Sequence, residues 1–370
     1  MSRKGWCPGA LRPMPAGDGL LLRLRPRGSM LAADQVAGLA DLATLYGNGA
    51  IDLGSRASLQ LRGVTAAALP DLHKALADLA LLDSDPALEA RRNTITTPLW
   101  QTGDETADLI TLLEDGLQHA PDLPAKFGFA LDTGRAPCLQ LASADLRIEE
   151  SSAGLILRPD GCPMGQVFQP LDLPELLGKL LHWFVKTDCP RMAVALRDGH
   201  VAPLRQDAPP RPQPAMADLL QTSGLLFAPF GAASSQAFHE LAAQGLRLTP
   251  WRAVRPDSPP PLTRHWLQNP NDTRLRVDAC PGAPHCSAAS VTTRDLALQL
   301  APLVPPGRHL HLSGCAKGCA RATAADVTLT GRDGRFDLIL QGRAGDAPAQ
   351  TGLAPHTLAA AIGGHFAPPL

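Results

Sequence analysis

Cys280-Pro-Gly-Ala-Pro-His-Cys286 and Cys315-Ala-Lys-Gly-Cys319 form a split cysteine quartet near the C-terminus. The first pair has the spacing C-x5-C, the second has C-x3-C, and twenty-eight residues separate them. Four thiolates on two tight loops are typical of an iron–sulfur cluster. The prolines and glycines inside both loops allow the bent backbone that wraps a cuboidal cluster. The quartet therefore predicts a 4Fe-4S cluster and the transfer of single electrons.

Two other roles for these cysteines, zinc binding and disulfide formation, stay open. Zinc also takes four cysteines, but structural zinc sites favour ligand gaps of two to four residues, and the first pair is wider. A disulfide pairing is weaker still, because no charged-then-apolar N-terminal signal points to an oxidising compartment. The remaining cysteines show no paired spacing and are expected to be small buried or idle thiols: Cys7, Cys138, Cys162 and Cys189.

Composition narrows the class of protein. A chain of 370 residues is too long for one compact core, so two or more lobes are expected. The formal net charge of −1 argues against a general nucleic-acid binder, because neutralising phosphates requires a basic surplus. No stretch of about eighteen uncharged apolar residues occurs, which predicts no membrane span and a cytoplasmic protein.

Hydrophobic periodicity predicts the order of elements in the first quarter of the chain. Residues 19–25 alternate as a strand does, and residues 32–46 carry apolar side chains at helical spacing. A strand pair over residues 50–63 and a second amphipathic helix over residues 70–82 follow. This order resembles a ferredoxin-like α/β half-domain.

Two longer stretches repeat each other at an offset of about 180 residues, residues 92–157 and 280–340. Both read as helix, strand, strand and hairpin return, and only the second contains the cysteine quartet. The predicted fold class is therefore α/β (α+β), with two ferredoxin-like half-domains and two α/β lobes related by a pseudo-twofold axis. The expected bounds are 1–85 and 215–262 for the half-domains, 86–205 for the first lobe, and 263–370 for the lobe that carries the cluster. A groove between such lobes suits a large flat ligand.

These residues resemble the sulfite and nitrite reductase superfamily over nearly the whole chain. That superfamily is built from two such repeats and carries a 4Fe-4S cluster on a C-x5-C and C-x3-C quartet. Within it the likeness is to the precorrin-3B synthase family of the aerobic cobalamin pathway. Three further phrases carry this narrower resemblance: Cys7-Pro-Gly with Pro13-Met-Pro-Ala-Gly-Asp-Gly19, Leu246-Arg-Leu-Thr-Pro-Trp-Arg252, and His311-Leu-Ser-Gly-Cys-Ala-Lys-Gly-Cys-Ala320.

Two positions depart from the reductases. A Lys-Phe-Lys strand of the reductases matches Lys126-Phe127-Gly128, so Gly128 replaces a lysine that lies beside the oxyanion. The last cluster loop usually reads Cys-Pro-Asn-Gly-Cys, whereas this chain has Ala316 and Lys317 between the cysteines. Both departures argue against reduction of sulfur or nitrogen oxyanions and against siroheme.

The resemblance implies a polycarboxylate tetrapyrrole, precorrin-3A, as the substrate. Fixed cations would bind its carboxylates, because a guanidinium offers a carboxylate two parallel N–H donors. The candidates are Arg23, Arg56, Arg62, Arg92, Lys126, Lys317 and Arg321. Among histidines, His309 and His311 would project to the same face of a strand over residues 308–312, and His311 is the candidate catalytic residue. His285, within the first cysteine loop, is expected to influence the cluster or to be merely exposed.

The implied reaction is an oxygen-dependent hydroxylation at a meso carbon, with closure of an acetate to a γ-lactone. Its implied cofactors are the 4Fe-4S cluster on Cys280, Cys286, Cys315 and Cys319, and a mononuclear non-haem iron whose ligands the sequence does not identify. Dioxygen and an electron donor, either a nicotinamide-dependent reductase or a ferredoxin, are the implied partners. Two alternatives remain: a siroheme-dependent sulfite or nitrite reductase in which Cys319 bridges cluster and siroheme, and a non-catalytic tetrapyrrole carrier with a redox-sensing cluster.

Overall fold

The computed structural model describes residues 8–101, 103–259 and 263–366. The first half-domain comprises β1 (Met14–Ala16), β2 (Gly19–Leu24), β3 (Met30–Leu31), α1 (Ala33–Tyr46), β4 (Ala50–Gly54), β5 (Ser58–Val64) and α2 (Leu69–Asp78). Alternating side chains place Leu22 and Leu24 of β2 in the core, where neither is exposed to solvent. Burying one leucine in this way contributes about 1.5–3 kcal/mol to stability.

The first lobe follows and is built around one mixed sheet. Its elements are α3 (Pro86–Arg91), β6 (Thr94–Thr96), α4 (Glu105–Gln118), β7 (Phe129–Asp132), β8 (Leu146–Ser151), β9 (Gly154–Pro159), β10 (Gln166–Val167), α5 (Leu173–Val185) and α6 (Met192–Arg197). Strands β6, β7 and β8 run parallel, and β9 and β10 add antiparallel partners. The strand matched to Lys126-Phe127-Gly128 begins at Phe129, and the amide of the preceding Gly128 donates to the side chain of Asp145 over 3.0 Å.

The second half-domain repeats the first in a shorter form. It consists of α7 (Met216–Thr222), β11 (Leu226–Phe227), β12 (Ala232–Ser234), α8 (Ser235–His239), β13 (Leu246–Leu248) and β14 (Ala253–Pro256). The two half-domains share one hydrophobic core, in which α1 packs against α8.

The two half-domains also exchange strands. Strand β3 joins the second half-domain beside β13, and β12 joins the first beside β4. Left-handed residues precede each exchanged strand: Gly28 and Ser29 have φ of 58° and 54°, and Phe230 and Gly231 have φ of 60° and 72°. A non-glycine residue in this region costs about 1–2 kcal/mol. The same left-handed turn occurs in both half-domains despite this cost. This indicates that the turn directs the chain across the pseudo-twofold axis.

The second lobe has the same sheet as the first. It comprises β15 (Val277–Ala279), α9 (Arg294–Leu300), β16 (Leu310–Ser313), β17 (Ala325–Arg332), β18 (Arg335–Gly342), β19 (Gln350–Leu353) and α10 (Leu358–Phe366). Its order, β15-β16-β17-β18-β19, and its strand directions match β6-β7-β8-β9-β10. Phe129 and Leu310, which start the second strand of each sheet, are 181 residues apart. The duplicated architecture predicted from the sequence is present.

No helix within the described ranges is both long enough and apolar enough to span a bilayer.

Candidate functional site

The two cysteine loops leave adjacent strands at the same edge of the second lobe. Cys280 follows β15 and Cys315 follows β16, and these strands are parallel, so their carboxyl ends lie side by side. The amide of Cys280 donates to the carbonyl of Leu312 over 3.3 Å. The sulfur of Cys280 in turn accepts a hydrogen bond from the amide of Gly314 over 3.1 Å. The first loop is therefore fastened to the start of the second.

The thiol of Cys319 lies within electrostatic reach of the other three thiols of the quartet. Cys280 is buried, Cys286 and Cys315 are half-buried, and Cys319 is exposed as a residue although its thiol is partly enclosed. Burial raises the pKa of the Cys319 thiol, and charge on the other three cysteines raises it further, whereas Lys317 lowers it. Such mutual repulsion between thiolates is relieved when a metal centre binds them.

Four cysteines on two bent loops are a donor set of the kind that holds an iron–sulfur cluster. Among the described residues, no three histidine, cysteine, aspartate or glutamate side chains are grouped closely enough to hold one metal ion. Gly282 and Gly318 supply left-handed bends in the two loops, with φ of 68° and 61°. The described residues likewise show no ligand set for the implied mononuclear iron.

An arginine of the first half-domain holds the first cysteine loop. Arg62 on β5 donates to the carbonyl of His285 over 2.8 Å, and His285 directly precedes Cys286. Asp18 fixes the guanidinium of Arg62 with two hydrogen bonds of 3.2 and 3.3 Å. Arg62 is only 8% exposed. It was predicted as a substrate cation, but in the structure its donors are directed at the protein.

An arginine of the second half-domain holds the other cysteine loop. Arg252 donates to the carbonyl of Ala320 over 2.6 Å, and Ala320 directly follows Cys319. The guanidinium of Arg252 also pairs with Asp278, which receives a second hydrogen bond from Arg321 over 2.8 Å. Arg321, another predicted substrate cation, is thus part of this ion-pair group. Arg252 ends one of the sequence segments on which the family resemblance rests. The sequence did not indicate which group its guanidinium would contact.

His311 lies beneath the second cysteine loop and has no exposed surface. A Cβ added to Gly318 would be 3.7 Å from its Cε1 atom. Burial lowers the pKa of His311 to about 4; Arg321 and Arg252 lower it further, whereas Asp278 opposes them. Neither ring nitrogen has a hydrogen-bond partner in the described part of the chain. The catalytic role predicted for His311 remains untested, and in this structure the ring does not reach the surface.

That His309 and His311 share one strand face stays a prediction; the carbonyl of His309 accepts a hydrogen bond from Val327 of β17 over 3.3 Å. Strand β16 begins at Leu310, so His309 precedes the strand, where its amide donates to Asp326 over 2.8 Å. Cys7, to which no role was assigned, lies outside the described residues. His285 is half exposed, and its ring lies 3.6 Å from Asp18.

A second group of predicted cations lies at the start of β7. Arg56 donates to the carbonyl of Lys126 over 3.1 Å and to the hydroxyl of Ser143 over 3.3 Å. A Cβ on Gly128 would come within 2.5 Å of the Nη1 atom of Arg56. The guanidinium therefore fills the space above Gly128, where the resemblance places a lysine. Lys126 is exposed beside it, and Arg191, which sequence reasoning missed, contacts the same Ser143 hydroxyl over 3.3 Å.

The three remaining predicted cations have different surroundings. Arg92 is buried and pairs with Asp83 over 2.7 Å and with Glu114 over 3.5 Å. Its contacts are those of a structural ion pair, and its role toward a substrate stays a prediction. Arg23 is half-buried on β2, and its Nε atom has no hydrogen-bond partner among the described residues. Lys317 is exposed within the second cysteine loop.

A cavity of about 280 Å³ adjoins the first cysteine loop at the boundary between the first half-domain and the second lobe. Arg62 and Asn48 line one side, and Pro284, His285 and Arg294 line the other. A whole tetrapyrrole needs more room, because even drug-sized ligands occupy cavities of about 300–1,000 Å³.

The first lobe contains a counterpart of the cysteine site without the quartet. Thr97 follows β6 as Cys280 follows β15, and Cys138 stands six residues after the end of β7 as Cys319 stands six after the end of β16. The hydroxyl of Thr97 and the sulfur of Cys138 are 3.2 Å apart. Asp132 accepts hydrogen bonds from the amides of Cys138 and Leu139 over 2.9 and 2.8 Å. A carboxylate therefore fastens this loop in the lobe that lacks the quartet.

Asp132 should make folding stability depend on pH. Burial raises its pKa to about 6, the nearby Glu149 adds to this, and the hydrogen bonds from Leu139 and Cys138 oppose it. The folded state then favours the protonated acid, so the stabilisation is complete below about pH 4 and is lost as pH rises through 6, by about 2–3 kcal/mol. Urea unfolding at pH 4.5 and 7.5 should show this loss in the wild type and a smaller one in Asp132→Asn. Equal losses in both proteins would contradict the assignment.

Three comparisons with known proteins extend these observations. Residues 12–79 match the family model of the nitrite/sulfite reductase ferredoxin-like half domain. The chain is 29% identical to a precorrin-3B synthase from Sinorhizobium sp, over 94% of this chain and 85% of that protein. It is 23% identical to a ferredoxin–nitrite reductase from Leptolyngbya laminosa, over 93% of this chain and 84% of the relative.

Among solved structures, the fold matches the NirA protein of Mycobacterium tuberculosis. The TM-score is 0.65 at 17% identity, over 93% of this chain and 79% of that one. The similarities confirm the resemblance to precorrin-3B synthase and to the sulfite and nitrite reductases, and they confirm the duplicated reductase-like fold.

Proposed function

We propose that this chain is a monooxygenase that converts precorrin-3A to precorrin-3B in cobalamin biosynthesis. One atom of dioxygen enters the product as a hydroxyl group, and the other leaves as water. Two electrons and two protons come from a separate donor, and closure of the γ-lactone consumes no further electrons. The observation that carries the proposal is a cysteine quartet held on two adjacent loops, in a chain similar to precorrin-3B synthase over 94% of its length.

Cys280, Cys286, Cys315 and Cys319 would hold a 4Fe-4S cluster. When bound, the cluster supplies electrons one at a time, which ground-state dioxygen requires. Free thiols must stay reduced to bind iron, so the proposal includes a reducing compartment such as the cytoplasm. A nicotinamide-dependent reductase or a ferredoxin would supply the electrons from outside.

The remaining task of the protein is to bind a flat polyanion and fix its orientation. Arg56 and Lys126 stand together near the start of β7, and Lys317 is exposed beside the cluster ligands. A planar guanidinium binds a carboxylate through two hydrogen bonds, whereas the lysine it replaces offers a point charge. The lysine that the reductases have at the position of Gly128 is absent, and the guanidinium of Arg56 lies in its place. This change favours a substrate that bears carboxylates over a small oxyanion.

A siroheme-dependent nitrite reductase is the second candidate. It is favoured by the similarity to two ferredoxin–nitrite reductases, from Leptolyngbya laminosa and Synechococcus elongatus, at 23% and 24% identity. The changes at Gly128 and in the Cys315–Cys319 loop oppose it. A non-catalytic tetrapyrrole carrier is the third candidate.

Oxygen-18 labelling of the product tests the proposal. Protein purified without oxygen should contain equal amounts of iron and acid-labile sulfide, with broad brown absorbance and no siroheme bands. Supplied with precorrin-3A, labelled dioxygen and a reductant, it should form a product carrying one labelled atom. Siroheme bands with nitrite reduction would establish the reductase instead, and tight precorrin binding without oxygen consumption would establish the carrier. Iron in excess of sulfide by one would reveal a separate mononuclear iron.

A further inference from the structure

Both cysteine loops are held from outside the lobe that contains them. The carbonyl next to Cys286 accepts a hydrogen bond from Arg62 of the first half-domain, and the carbonyl next to Cys319 accepts one from Arg252 of the second. Each half-domain therefore supplies one arginine to one cysteine loop. In each case the bonded carbonyl belongs to the immediate neighbour of a predicted ligand.

We propose that Arg62 and Arg252 are positioning residues, which hold the two ligand loops in place so that the contact from each half-domain slows loss of the cluster. The inference rests on the cluster in the proposed function. It does not depend on the identity of the tetrapyrrole.

Both guanidinium groups are held in place before they reach the loops. Asp18 binds two nitrogens of Arg62, and Asp278 pairs with Arg252. A charged donor that is already oriented loses little side-chain freedom when it binds a carbonyl, so its hydrogen bond is at the strong end of the range. The loops need such support because neither contains a strand or an α-helix.

The first half-domain also touches its loop directly. A Cβ on Gly17 would lie 2.5 Å from the amide nitrogen of Ser287, so the backbone of the β1–β2 turn packs against the backbone beside Cys286. Arg294 at the start of α9 donates to Asp52 on β4 over 3.0 Å, across the same boundary. Arg62 is thus one of several contacts between the first half-domain and the lobe that carries the quartet.

The second arginine leaves one positive charge unbalanced near its loop. Arg252 and Arg321 share a single carboxylate, Asp278, and Lys317 adds a further exposed cation. A cluster bound by four thiolates is anionic, so this surplus favours retention as well as position.

Iron release from glutamine variants tests the proposal. Arg62→Gln and Arg252→Gln keep a long polar side chain but lose the positively charged guanidinium group. Arg158→Gln is the matched control, because Arg158 also pairs with a buried carboxylate, Glu149, and donates to a loop carbonyl, that of Cys162, over 2.8 Å in the lobe that lacks the quartet. The measurements are iron and sulfide per chain after anaerobic reconstitution, the rate of iron transfer to a ferrous chelator, and thermal unfolding of the metal-free protein.

We expect each loop variant to release iron roughly tenfold faster than wild type, as loss of one charge-assisted hydrogen bond implies. Arg158→Gln should release iron at the wild-type rate even if it unfolds earlier. Arg62→Lys and Arg252→Lys, which keep a charged donor, should recover part of the retention. Release at the control rate from both glutamine variants would overturn the proposal, as would a wild-type protein that binds zinc. A stable cluster with no precorrin hydroxylation would overturn the proposed function alone.

Discussion

Replacing Cys280 or Cys319 with serine will abolish both the iron–sulfur absorbance and the hydroxylation of precorrin-3A. Cluster iron binds thiolates, and a serine hydroxyl at either position leaves one iron without a sulfur ligand. Activity should fall to the uncatalysed level, because the cluster carries the electrons in the proposed reaction. Iron and sulfide analysis with a visible spectrum measures the first loss, and an oxygen-consumption assay measures the second.

Cys138→Ser is the matched control for this experiment. Cys138 stands in the first lobe where Cys319 stands in the second, but its sulfur contacts Thr97 and the Asp132 carboxylate, and its pKa is raised by burial and by Asp132. A serine there keeps the hydrogen bonds, so the variant should hold a full complement of iron. A brown, active Cys319→Ser protein, or a colourless Cys138→Ser protein, would show that the cluster is not on the predicted quartet.

The sequence predicted the duplication well, because the repeated unit is long and strongly periodic. The helix expected in the first repeated stretch is α4 (Glu105–Gln118), and the last strand and hairpin return expected in the second are β17 and β18. The strand exchange was not predicted. Strands β3 and β12 have two and three residues. Segments that short carry no alternation, and their partners lie about two hundred residues away.

The cations were harder to interpret because residue type does not show which partner a side chain meets. Arg62 and Arg92 were chosen as substrate contacts, yet both are buried against carboxylates that come from other elements, Asp18 and Asp83. Only tertiary packing brings those acids within reach. Arg252 was visible in a phrase typical of the family, but the carbonyl it binds belongs to a loop sixty-eight residues away.

Gly128→Ala will weaken the binding of precorrin-3A by roughly tenfold, with a smaller effect on kcat. The added methyl group would lie 2.5 Å from the Nη1 atom of Arg56 and 3.0 Å from the Nδ2 atom of Asn93. Arg56 ends a flexible side chain, so it will move away and lose its hydrogen bonds to the Lys126 carbonyl and Ser143. One misplaced charged contact is worth about 1.5–3 kcal/mol, which corresponds to a tenfold or greater rise in KM.

Gly178→Ala supplies the control for adding a methyl group. A Cβ at Gly178 of α5 would meet nothing within 4 Å, so this variant should bind as the wild type does and unfold at the same or a slightly higher temperature. Arg56→Ala should reproduce the rise in KM caused by Gly128→Ala, and the double variant should be no worse than either single one, because both changes remove the same contact. Additive losses would mean that Gly128 acts without Arg56. An unchanged KM in Gly128→Ala, Arg56→Ala and the double variant would show that Arg56 does not bind the substrate. It would also contradict the proposal that an arginine replaces the lysine of the reductases here.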